Sequence, residues 1–164
     1  MTNIRRYVSA IAGGLAAVDD IVDVINPYTG LKVAQAILSD RSTAEVAIES
    51  AMIGFQLMRS MPTYQRHDLL MSLADGVKAH RNTLADLIVE EAGKPIADAL
   101  TEVDRAALVL SLSAAEARNL NGETVPLDLR AGTEGRFGIV KRFPIGPILA
   151  ISPYNFPLNL GMHK

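Results

Sequence analysis

One stretch constrains this chain more than any other. Ile148-Leu149-Ala150-Ile151 is bounded by Pro147 and breaks at once into Ser152-Pro153-Tyr154-Asn155-Phe156-Pro157-Leu158. A short apolar run with no alternation predicts a strand over 148–152 that is buried on both faces. Pro153 and Pro157, four residues apart, set their own φ angles and remove two backbone donors. The asparagine between them is therefore carried on a stiff loop. A buried strand ending in such a loop is where α/β sheets place ligands and chemistry.

Composition narrows the classes around that stretch. With 164 residues, 49% hydrophobic and 21% charged, the chain suits one globular domain with enough residues for a core. A net charge of -2 gives no reason to expect nucleic acid or an anionic membrane as partner. The sequence has no cysteine, which excludes disulfides and thiolate metal sites. Its histidines, His67, His80 and His163, are too scattered to form a ligand cluster, so no metal site is expected. No apolar run approaches the roughly 20 residues of a membrane span. Arg5 and Arg6 ahead of residues 8–18 have the outline of a secretory leader, but Gly13-Gly14 interrupts the apolar part. Residues 1–20 are read as a loosely held N-terminal segment, and a cytoplasmic location is expected.

Along the chain, Ile21–Ile25 and Leu31–Leu38 are β-branched and partly alternating, and Asn26-Pro27-Tyr28-Thr29-Gly30 between them carries turn chemistry. A hairpin is predicted. Ser42-Thr43-Ala44-Glu45 reads as a capping box with Ser42 as N-cap. Ala44, Ala47, Ile48, Ala51, Met52, Phe55 and Met58 then form the apolar stripe of a first helix. Pro62 opens a second, over about 63–80, with Leu69, Leu70, Leu73 and Val77 inward. Asn82 caps a third that stops near Gly93, and Gly93 with Pro95 makes a stop-and-restart signal. A fourth, over about 96–119, presents Ile96, Leu100, Val103, Ala107, Leu110, Ala114 and Ala117 on one face. Residues 123–129 and 136–143 read as two strands around a turn at 131–135, with Phe137, Ile139 and Phe143 on one face and Arg136 and Arg142 on the other.

Five stretches, in order, resemble the NAD(P)-dependent aldehyde dehydrogenase superfamily: Asn26-Pro27-Tyr28-Thr29-Gly30, Glu90-Glu91-Ala92-Gly93-Lys94-Pro95, Glu102-Val103-Asp104-Arg105, Phe143-Pro144-Ile145-Gly146, and Ser152-Pro153-Tyr154-Asn155-Phe156-Pro157-Leu158. Tyr154 stands where many members carry Trp or Phe. The resemblance covers about residues 20–164 and implies an α/β fold, specifically the truncated front part of an aldehyde dehydrogenase-like fold. It divides the chain into residues 1–20, an N-terminal segment, and 21–122, the hairpin and the helical part of the cofactor-binding domain. Residues 123–146 would be paired strands used in subunit association, and 147–164 a buried strand with an Asn-bearing active-site loop. The family's nucleophilic cysteine and general-base glutamate would lie outside the matched part.

The resemblance also assigns roles. Asn155 would donate its amide to the oxyanion formed when a thiolate attacks the aldehyde carbonyl, and an amide suits this because it is neutral at every working pH. The residues themselves allow a plainer role, an asparagine that closes its own turn. Ile151, Ser152, Pro153 and Tyr154 would set their backbone against NAD or NADP. No Gly-x-Gly-x-x-Gly phosphate cradle is present to carry cofactor binding independently. Arg105 would contact the anionic group of an acidic or phosphorylated aldehyde, although a surface pair with Glu102 at helical spacing also accounts for it. Glu90, Glu91 and Lys94 need only a cap-and-turn explanation, and His67 and His80 only a solvated one. The implied partners are a small-molecule aldehyde and further copies of the chain in a homo-oligomer. The Asn-Phe-Pro-Leu-Asn-Leu run is similar to relatives acting on lactaldehyde, glyceraldehyde 3-phosphate or like small aldehydes. The rival expectation is a non-catalytic helical interaction or oligomerisation module, or a gene fragment. A reading frame continuing past Lys164 to a Gly-flanked cysteine would separate the two.

Overall fold

A computed structural model describes residues 4–11, 14–15 and 20–164. Its first sheet is built on the Asn26 turn. The Asn26 side-chain carbonyl accepts the N–H groups of Tyr28 and Thr29 at 2.9 and 3.0 Å, and Gly30 takes φ +69°, a left-handed value that favours glycine. This turn joins β4 (Ile21–Ile25) and β5 (Lys32–Ile37) as an antiparallel pair, the hairpin expected.

The N-terminal segment is not loosely held where it is described. β1 (Arg5–Tyr7) runs parallel to β5 on its free edge, giving the order β1-β5-β4, and β2 (Ala10–Ile11) pairs with β3 (Gly14–Leu15). β1 is pinned from its side chains too. Arg5 pairs with Glu90, and the Tyr7 hydroxyl donates to Glu91 at 2.8 Å. Those two glutamates thus tie a helix to the sheet rather than serving a cap. The leader-like stretch 8–18 falls in part, at residues 12–13 and 16–18, outside the described residues.

Four helices follow: α1 (Arg41–Ser60), α2 (Thr63–Ala79), α3 (Arg81–Ala92) and α4 (Ile96–Arg118). The N-cap of α1 is Asp40, not Ser42. An aspartate two residues earlier is the stronger acceptor; it takes the Thr43 N–H at 2.7 Å and the Ser42 hydroxyl at 2.9 Å, while Glu45 turns to Arg41. The apolar stripe of α1 buries no residue, and Ile48 is 64% exposed, because α1 meets the rest of the described chain only lightly, at β2 and through Arg66 of α2, which donates to the Met58 and Arg59 carbonyls. In α2 the inward face is Leu70, Ala74 and Val77. Leu69 and Leu73 look outward, since small Ala74 is the residue that lets α2 lie close along α4. α3 opens at Arg81 after His80, without help from Asn82, and stops as expected at Gly93, with φ +66°.

The core lies between α2, α3 and α4. Ala85, Ile88, Ala99 and Val103 are packed by Val77, Leu84, Val89, Leu100 and Leu158. On α4 the expected Val103, Ala107, Leu110 and Ala114 are buried, joined by Ala99, Ala106 and Glu102, whereas Ile96 is exposed.

β6 (Glu123–Pro126) and β7 (Phe137–Val140) form an antiparallel ribbon shorter than predicted. Gly122 starts it because a Cβ there would sit 2.0 Å from the Val140 carbonyl oxygen. Its apolar face is open, with Phe137 and Ile139 exposed. The predicted buried strand over 148–152 is corrected in the same sense. The segment belongs to no sheet, and Leu149 is 85% exposed. A strand needs neighbours for its N–H and C=O groups, and none of the described residues runs beside this one. No helix among the described residues is long and apolar enough to cross a membrane.

Candidate active site

The Pro153–Pro157 loop leads into α5 (Asn159–Met162) and sits against α4 and the α3–α4 corner. What holds it there is Glu102. This side chain is 0% exposed, and its carboxylate serves three donors. Oε1 accepts the backbone N–H groups of Leu158 and Asn159 at 2.9 and 3.2 Å, which places a negative charge at the start of α5 where orphan N–H groups converge. Oε2 accepts the Lys94 ammonium at 2.5 Å. Lys94 in turn donates to the backbone carbonyl of Asn155 at 2.7 Å and stands 3.9 Å from the centre of the Phe156 ring, within cation–π range.

A further bond lies within the loop. The Ser152 hydroxyl donates to the Pro157 carbonyl at 2.6 Å, closing the turn from inside. Asn155 therefore has its main chain fixed while its side chain is exposed and makes no hydrogen bond to any described residue. The turn does not need the Asn155 amide. Ile151, Ser152 and Tyr154 are exposed, Tyr154 at 98%, and Pro153 is half-buried, so one open surface runs from 151 to 155. Asn159, one turn on, is buried with its side-chain oxygen unpaired among the described residues.

Arg105 is not brought into the pair expected of it. Glu102 faces inward and is occupied by Lys94 and the loop, and the neighbouring Asp104 is taken by Arg81 through two bonds of 2.6 and 2.7 Å. That pairing holds the Asp104 carboxyl below its usual range. Arg105 itself is exposed and makes no salt bridge with a described residue. His67 is not simply solvated. Its Nδ1 lies 2.9 Å from Asp68 and 3.2 Å from Arg118. No group of three or more metal-ligating side chains occurs among the described residues.

The residues missed from sequence are Lys94 and Glu102. A signal for Glu102 was present: it shares a helical stripe with Ala99 and Ala106, so it is a charge on a face otherwise made of small residues. Arg105 is nearer to it in sequence, and the fold brings Lys94 instead. Gly93 explains its placement. A Cβ on Gly93 would come 2.7 Å from Cγ of Pro27, so the hairpin turn packs directly under the α3–α4 corner. Three of the short motifs, at 26–30, 90–95 and 152–158, thus meet in space.

An α/β chain whose helical layer clamps a proline-framed asparagine loop defines the class, and comparison with known proteins gives it a family. The aldehyde dehydrogenase family model matches residues 16–164, and the chain belongs to that family. It is 31% identical over 164 residues to 3-sulfolactaldehyde dehydrogenase of Priestia megaterium, covering 100% of this chain and 34% of that protein. Among solved structures, aldehyde dehydrogenase 21 from Physcomitrella patens, in complex with the reaction product succinate, matches with a TM-score of 0.93 and 35% identity over 99% of this chain and 34% of that one. The NADP-dependent glyceraldehyde-3-phosphate dehydrogenase from Bacillus halodurans, complexed with NADP, matches with a TM-score of 0.90 and 28% identity, over 98% and 34%. The chain spans about a third of the length of these relatives.

Proposed function

We propose that these residues are the N-terminal part of an NAD(P)-dependent enzyme that oxidises a small aldehyde to a carboxylic acid through a cysteine thiohemiacetal. The observation that carries this reading is the state of Asn155: its backbone is clamped while its amide is free and exposed. The fixed main chain sets where the side chain starts from, and an amide not used by its own turn is available to donate when a carbonyl oxygen gains charge beside it, as an oxyanion donor must. An asparagine serving only its turn would be spending its amide on the turn, and here Ser152 and Lys94 do that work.

The residues at 151–154 fit a dinucleotide. Their surface is open, with Ile151 and Pro153 to cover an apolar ring face and a main chain unpaired in any sheet to meet its polar edges. When bound there, NAD or NADP would accept a hydride. The 164 residues contain no cysteine, so the nucleophile would have to come from elsewhere in the protein.

For the substrate, we read a small 2-hydroxyaldehyde, with or without an anionic tail. The relatives named for 3-sulfolactaldehyde and glyceraldehyde 3-phosphate support this. Arg105, exposed on α4 and without an ion-pair partner among the described residues, is the group offered to the anion. The open apolar face of the β6–β7 ribbon is the surface offered for subunit association.

The test is Asn155→Ala in the full-length enzyme, with racemic lactaldehyde and either cofactor. The expected loss is about 10²–10³-fold in the single-turnover rate, with cofactor affinity and melting temperature near wild type. Asn155→Asp should be slower still, because a carboxylate repels the developing charge. A lowered melting temperature with an unchanged single-turnover rate would make Asn155 a structural residue.

A further inference from the structure

We infer that Lys94 and Glu102 are a positioning pair that sets the Asn155 amide for the reaction. This rests on the oxyanion reading of Asn155. The pair holds four residues of one short segment at once: Asn155 through its carbonyl, Phe156 through its ring, and Leu158 and Asn159 through their N–H groups. The grip comes from a buried carboxylate and a nearly buried ammonium together, with Glu102 at 0% and Lys94 at 14% side-chain exposure. Hydrophobic replacement of such a pair is often neutral or better for stability, so stability alone is a weak reason for having one.

The geometry supplies a better reason. A carboxylate and an ammonium are directional at several donors and acceptors at once, so they fix where the Asn155 Cα stands and not merely that the loop is docked. Lys94 is itself aimed by Gly93, which cannot shift toward the hairpin because Pro27 lies against it. The order of control therefore runs from the Asn26–Gly30 turn through Gly93 and Lys94 to Asn155. A donor displaced by about 1 Å can cost on the order of 10²-fold in rate even when the substitution lies away from the chemistry.

The test is a double-mutant cycle in the full-length enzyme, with racemic lactaldehyde as the probe aldehyde. Lys94→Met keeps the stem and removes the ammonium; Lys94→Arg keeps a cation. Single-turnover rate, cofactor Kd and melting temperature are measured for each variant alone and combined with Asn155→Ala. Lys94→Met is expected to lose on the order of 10²-fold in rate with cofactor Kd within about threefold, and Lys94→Arg is expected to recover part of that loss. In the Asn155→Ala background, Lys94→Met should cost little more, since the group it positions is already gone.

If Asn155→Ala is slow but the two losses multiply in the double variant, the positioning inference is wrong and the oxyanion reading stands. If Asn155→Ala keeps the wild-type rate, the oxyanion reading is wrong and the positioning inference falls with it. Should Lys94→Met not fold, the Lys94→Arg cycle decides: a rate loss in wild type that vanishes in the Asn155→Ala background supports positioning, and one that persists, or no loss at all, overturns it.

Discussion

Glu102→Ala would test the whole attachment of the candidate loop. The substitution removes one carboxylate and strands three donors: the Lys94 ammonium and the N–H groups of Leu158 and Asn159. Breaking a buried ion pair by deleting one partner costs about 3–5 kcal/mol, and each stranded N–H about 1–3 kcal/mol. These overlap, because Lys94 can relax toward solvent and the loop can lift as a unit, so about 4 kcal/mol is a fair central value. That is roughly 10³-fold in the ratio of docked to undocked loop. Glu102→Gln keeps an acceptor for the two N–H groups but loses the charge, and should cost about 2 kcal/mol, roughly 30-fold. Hydrogen–deuterium exchange followed by mass spectrometry of peptides over 152–162 reads this directly, since Leu158 and Asn159 carry the amides in question. Exchange in the Ala variant within about threefold of wild type would refute the idea that Glu102 holds the loop. So would a Gln variant as fast as the Ala variant.

Further outcomes are expected. Gly93→Ala meets both a left-handed backbone at φ +66° and Pro27 at 2.7 Å, so it should destabilise by about 2–4 kcal/mol; Gly30→Ala, at φ +69° with nothing within 4 Å, should cost only about 1 kcal/mol, and urea denaturation of both isolates the contact with Pro27. Asp40 is held below the usual carboxylate range, first by the Thr43 N–H. A depressed folded-state value means its cap contributes above the unfolded value near 3.8 and is lost as the pH falls through the folded one, so acid should fray α1, and Asp40→Asn should flatten that limb of a circular-dichroism titration. The 164-residue chain by itself, having no thiol, should not reduce NAD or NADP with propanal, and its exposed Ile148, Leu149 and Ile151 should make it bind an apolar dye; turnover above contaminating background, or no dye binding, counts against each in turn.

Much of the fold was legible because it is local. Asn26-Pro27-Tyr28-Thr29-Gly30 encodes its turn in its own side chain and φ values, Gly93 encodes a helix stop, and α4 announces its buried face through residues three and four apart. The errors fall where a neighbour decides. Asp40 takes the Thr43 N–H and the Ser42 hydroxyl, so α1 starts ahead of Ser42, and Leu69 and Leu73 turned outward because an alanine fits the closer helix approach. Residues 148–152 have strand composition but no strand beside them among the described residues.

For the candidate site, the sequence by itself determined which residues stand on the proline-framed loop and that Asn155 lies at its tip, since proline geometry and chain order need no partner. Only the tertiary structure decided what holds that loop and leaves the amide free. Glu102 lies 53 residues before Asn155, and Glu90 and Lys94 belong to one motif yet serve opposite ends of it, one toward β1 and one toward the loop. A carboxylate's preference among a helical neighbour, a lysine and two distant N–H groups is set by which of them burial leaves without water. That is a property of the packed chain, and no spacing in the sequence carries it.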